Sequence, residues 1–137
     1  MAEWITPKTD WVATDRFNIS DYNRIKNNLQ YIHDESEKIY GEYSITDMGS
    51  DLDSYGGYWS ADNFNAFENN LHTINEHMLN ASIGTKMTFY PNGAFIGYAE
   101  LNRIESVTLT LKSTIDGWYE AMATLPFRLG AKRAMRV

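Results

Sequence analysis

The absence of cysteine removes thiolate ligands and thiol nucleophiles, and the only histidines here are His33, His72 and His77. The stretch HTINEH at 72–77 has one residue too many for either His-Glu-x-x-His or His-x-x-Glu-His. On a helix, positions 72 and 77 lie about 140° apart, a poor geometry for sharing a metal, so satisfied or exposed histidines are expected. Serine and aspartate are plentiful, but no Gly-x-Ser-x-Gly elbow and no glycine-rich phosphate loop is present. A cell-wall glycosidase would need two carboxyls in a cleft, for example Glu68 with Glu76, and short helices promise little cleft. No residue is assigned a catalytic role, no cofactor is expected, and the chain is read as non-enzymatic.

One acidic loop matches part of a calcium-binding pattern. DLDSYGGYWSAD at 51–62 sets Asp51, Asp53, Gly56 and Asp62 at positions 1, 3, 6 and 12 of such a loop, ahead of a helix. Position 5 is Tyr55 rather than a carboxylate or amide, position 12 has the shorter Asp, and GEYSITDMGS does not read as an incoming helix. A polar loop leading into a capped helix is therefore expected, with calcium on Asp51, Asp53 and Asp62 as the alternative. Tyr55, Tyr58 and Trp59 in the same loop could stack on a sugar, or could close over a small core.

The elements that would carry these residues follow from apolar spacing. Tyr22, Ile25, Leu29, Ile32 and Ile39 form one stripe, predicting a helix over 20–40 capped by Ser20. Phe64, Phe67, Leu71, Ile74 and Met78 alternate by three and four, predicting a helix over 60–80 that begins near Ser60. Leu101, Ile104, Thr108, Leu111, Ile115, Trp118 and Met122 predict a third over 98–122, with Pro126 beyond its end. TKMTFYPNGAFIGY alternates apolar and polar residues about Pro91-Asn92-Gly93, which reads as a short β-hairpin or an extended bend. Residues 1–19 read as an extended arm pinned by Trp4, Trp11 and Phe17, and 126–137 as a basic tail. The expected fold is mainly α: one domain over 1–137, a small three-helix bundle with an extended N-terminal arm and a short hairpin.

Charge narrows the partners. The net charge is −6, yet Arg128, Lys132, Arg133 and Arg136 give the last ten residues +4, leaving −10 on 1–127 (eight basic against eighteen acidic). Such a balance argues against a nucleic-acid binder. The tail is either a solvated terminus or a basic arm that docks on an acidic neighbour, another copy included. No run of eighteen apolar residues and no secretory signal is seen, so neither a membrane span nor export is expected.

The helices also repeat. Asn23-Arg24-Ile25-Lys26-Asn27-Asn28-Leu29-Gln30-Tyr31-Ile32 aligns without a gap on Asn65-Ala66-Phe67-Glu68-Asn69-Asn70-Leu71-His72-Thr73-Ile74, and Asn102-Arg103-Ile104-Glu105 opens a third copy. The copies lie 42 and 37 residues apart, as one helix-plus-loop unit with variable connectors would. Early in a helix, Asn can bond the backbone of an incoming loop, and Arg one turn in can bridge to a carboxylate such as Asp21. The other reading makes Asn23, Arg24, Asn102, Arg103 and Glu105 contacts to a partner.

KTDWVATDRFNISDYNRIKNNLQYI resembles the opening of small structural proteins of tailed phages and prophages of Gram-positive bacteria, where Trp-x-x-x-Asp-x-Phe-Asn precedes Asn-Arg-Ile. FIGYAELNRIE resembles their second copy, so the likeness covers about 11–32 and 95–111. Lys26 departs from it, standing where an acidic residue usually follows, and so does Ala66-Phe67 in place of Arg-Ile. The resemblance implies a virion component of the tail or baseplate, made in the host cytoplasm, whose helices serve assembly with copies of itself and other tail proteins. A carbohydrate-binding module for host cell-wall glycans is the alternative.

Overall fold

In the computed structural model the described residues are 4–52, 61–78, 80, 83–84, 86–90 and 96–133, with side chains described up to 123. Three helices follow one another, α1 (Ile19–Tyr40), α2 (Ala61–Met78) and α3 (Tyr98–Arg133), and each packs on the other two.

The apolar stripes form the core. Tyr22, Phe64 and Leu101 begin it, followed by Ile25, Phe67 and Ile104, then Leu29, Leu71 and Thr108, then Ile32, Ile74 and Leu111. Each trio occupies one register position of the aligned repeats, and every member is buried. Thr108 fits among leucines because its hydroxyl donates to the Ile104 carbonyl at 2.7 Å, leaving only its methyl to pack.

The helix ends differ somewhat from their sequence assignments. Asn18, not Ser20, caps α1, and the Asp21 carboxylate closes that first turn by accepting the Asn18 N–H at 2.9 Å. Gly41 ends α1 with φ of 102°, a conformation that suits a residue without Cβ, and its N–H returns to the Glu37 carbonyl at 3.0 Å. Ser60 lies outside the described residues. α3 continues past Met122 and through Pro126 to Arg133, so the first part of the expected tail is helical. A proline removes one helical N–H donor and crowds the carbonyl four residues back, which can kink a helix without ending it.

The predicted hairpin is not supported. Pro91-Asn92-Gly93 lies outside the described residues, and no strand occurs among those described on either side. The extended residues there are held by a helix side chain rather than by a partner strand, as are two other extended segments.

Candidate functional site

The repeated asparagines hold these segments. Asn102 on α3 accepts the Trp11 N–H at 2.7 Å and donates to the Trp11 carbonyl at 3.0 Å. Asn23 on α1 does the same for Leu52, at 2.9 and 2.8 Å, and Asn65 on α2 for Phe89, at 2.7 and 2.8 Å. A carboxamide offers one acceptor and one donor side by side, so it pairs with an extended residue as a neighbouring strand would.

Five residues on, the pattern recurs. Asn28 clamps Ile5 at 2.9 and 2.7 Å, and Asn70 clamps Thr46 at 2.8 and 2.8 Å. The straps therefore run from Ile5 to Trp11, from Thr46 to Leu52, and from Ile83 to Phe89. The first bridges α1 and α3, and the second bridges α2 and α1. The third is clamped to α2 at Phe89 and touches α3 through the Arg103 Nη1–H, which donates to the Ile83 carbonyl at 3.4 Å. At the α3 position equivalent to Asn28 and Asn70 the sequence has Val107. Helices and straps thus alternate around a pseudo-threefold axis, each strap joining its own helix to the preceding one.

Ion pairs follow the same rotation. The Arg24 guanidinium on α1 reaches both oxygens of Glu105 on α3, at 2.7 and 2.8 Å, and also Asp21 at 2.8 Å. Glu105, 1% exposed, further accepts the Trp11 indole N–H at 2.6 Å and the Lys8 amide at 3.1 Å. One step round the axis, Arg103 on α3 pairs with the buried Glu68 on α2 and with Glu100 at 2.9 Å. The strap passes so close that a Cβ on Gly84, whose φ is 88°, would sit 2.6 Å from the Arg103 Cδ.

The third step lacks this pairing. By register it should join residue 66 on α2 to residue 26 on α1, and these are the positions where the aligned repeats carry neither the arginine of 24 and 103 nor the glutamate of 68 and 105. Ala66 replaces the arginine, and Lys26 replaces the carboxylate and turns to Asp51 at 2.7 Å and to the Gly49 carbonyl at 3.2 Å. Asn63, at the register of Asp21 and Glu100, donates to the Tyr22 hydroxyl at 2.7 Å. A dent of about 230 Å³ lined by Tyr22, Thr46, Asp47, Met48, Asp62, Asn63 and Ala66 lies beside this interface.

The polar groups of Asn23, Arg24, Asn102, Arg103 and Glu105, expected as possible contacts to a partner, are thus engaged within the chain. Asp51 is taken up by Lys26 and by Asn27 at 2.9 Å, and Asp62 is exposed in the first turn of α2. Asp53, Tyr55, Tyr58 and Trp59 lie outside the described residues. Glu68 is buried and ion-paired while Glu76 is exposed, so they do not face each other across a cleft as a glycosidase pair would. Among the described residues His33, Asp34 and Glu37 lie close enough to share an ion; the His33 Nε2–H is given to the Tyr43 carbonyl at 2.8 Å, and Nδ1 lies 3.0 Å from Asp34. Asn28 and Asn70 are structural residues with no role in the sequence-based expectations, and Glu68, weighed there only as a glycosidase carboxyl, is the buried partner of Arg103. The five-residue spacing of Asn23 to Asn28 and of Asn65 to Asn70 was the available signal.

No family model, curated protein or solved structure matches the chain.

Two predictions arise here. Asn102→Ala should cost about 2 kcal/mol, because it leaves both polar backbone groups of Trp11 without their partner. Urea unfolding measures it, and a loss below about 0.5 kcal/mol would mean water replaces the clamp freely. The second concerns pH. Burial lifts the Glu68 carboxyl above the 4.5 of an ordinary glutamate, although Arg103 opposes the shift. The folded state then holds this proton more tightly than the unfolded chain, a contribution complete below pH 4.5 and lost as pH rises through the raised value. Relative to Glu68→Gln, the wild type should therefore lose stability as pH rises above 4.5, and a rise would contradict this.

Proposed function

We propose that the protein is a non-enzymatic structural or adaptor component of a phage or prophage tail or baseplate, acting through helix-mediated assembly. The observation that carries the assembly part is the commitment of the repeated polar residues to strapping three helices together. Such a unit keeps its shape while its outer surfaces meet neighbours. The place in a tail rests on the Trp-x-x-x-Asp-x-Phe-Asn and Asn-Arg-Ile segments at 11–32 and the matching copy at 95–111. In the described part of that motif, Trp11 and Asn23 each anchor a strap contact, so the resemblance falls on residues with a structural task. No helix of the described residues is long and apolar enough to cross a membrane.

Mass spectrometry of purified particles from a host carrying the intact gene tests the reading. The chain should be present at a fixed ratio to the tail proteins, and particles from a deletion strain should lack complete tails. Finished, infectious particles without the chain would overturn the proposal.

A further inference from the structure

α3 is 36 residues long, about 54 Å at the helical rise, against 22 residues for α1 and 18 for α2. Its buried seam ends at Ile115, and every residue from Asp116 to Ala123 is exposed. The three-four spacing nevertheless continues through Trp118 and Met122, 36% and 41% exposed, and in sequence through Leu125 and Leu129. Tyr119 packs edge-on against Trp118 and is 38% exposed, its hydroxyl donating to Glu35 near the end of α1 at 3.1 Å. A seam that covers α1 and α2 in its first half and continues at the same period beyond them suits another helix.

Charge along this segment selects the occupant. Asp116, which also pairs with Lys112 at 2.6 Å, and Glu120 leave its first part net acidic, while Arg128, Lys132 and Arg133 make its end basic. Two such helices side by side in the same direction would gather their cations at one end. In opposite directions, each acidic half meets a basic half and the helix dipoles oppose. In a register centred at residue 124, position 116 lies level with 132 and position 120 with 128, so two ends of opposite sign match at once. The contact is isologous and closes with two copies.

We infer that the exposed half of α3 is a self-association surface, on which the same segment of a second copy packs antiparallel through Trp118 and Met122. This deepens the assembly part of the proposed function by naming the surface and partner. It would survive exclusion of the chain from particles, which tests only the tail assignment.

The chain has no cysteine, so single cysteines report the register directly. Light scattering coupled to size exclusion should give twice the 15.8 kDa of one chain, and Met122→Glu, at an exposed position, should return it to one chain with unchanged helicity. Under mild oxidation Ala123→Cys, next to the centre of the register, should form a disulfide-linked dimer, while Asp116→Cys should not. A monomer at every concentration, cross-linking of both variants as in a parallel pair, or a dimer that persists in Met122→Glu would each overturn the inference.

Discussion

Arg24→Ala should destabilise the fold by about 3–5 kcal/mol, the usual cost of removing one member of a buried ion pair. The Arg24 and Glu105 side chains are 12% and 2% exposed, and the truncated side chain would strand a carboxylate that water hardly reaches. The loss should also loosen the arm, since Glu105 holds the Trp11 indole and the Lys8 amide. Adding Glu105→Gln should recover part of the loss by removing the stranded charge, so the two changes together should cost less than their sum. Lys112 and Asp116, an i,i+4 pair with Asp116 half exposed, provide the contrast. Lys112→Ala should lose no more than about 1 kcal/mol of ion-pair energy. Urea midpoints for these variants decide the matter, and an Arg24→Ala protein within about 0.5 kcal/mol of wild type would show that solvent screens the pair.

Lys26→Glu should cost a similar amount, about 3–5 kcal/mol, because it places a carboxylate at a 6% exposed position beside Asp51 and the Gly49 carbonyl. Ala66→Arg alone adds a guanidinium with no carboxylate at the register of Glu68 and Glu105. Together they restore the pairing found at the other two interfaces, so the double variant should be more stable than the sum of the single changes by about 1–3 kcal/mol. A double-mutant cycle measured by denaturant unfolding gives this coupling. A coupling of zero would mean that the α1–α2 interface has departed from the pseudo-threefold arrangement in backbone as well as in side chains.

Much of the helical frame was legible because its signals are local. The three-four spacing of Tyr22, Ile25, Leu29 and Ile32, and of its two counterparts, specifies a face to be buried whatever the rest of the chain does. The Asn-Arg repeat likewise marked Asn23, Asn65 and Asn102 as one recurring device. The straps were not legible, because their clamps read only backbone. Ile5, Trp11, Thr46, Leu52 and Phe89 are held by their N–H and C=O, and any extended residue other than proline presents the same groups. For the same reason, alternation around Pro91 suggested strand pairing where a carboxamide takes the place of the partner strand.

The sequence by itself thus determined three amphipathic helices of one repeating kind, an acidic body and a basic end. Only the tertiary structure decided that Arg24 belongs to Glu105 and Arg103 to Glu68, since these partners lie 81 and 35 residues apart and many carboxylates compete for each arginine. It also decided that Lys26 and Ala66 stand at the two ends of the one interface that lacks the arginine–glutamate pair. Separated by 40 positions along the chain, they come to equivalent places only when three helices close around a common axis, and helical periodicity carries no information about that closure.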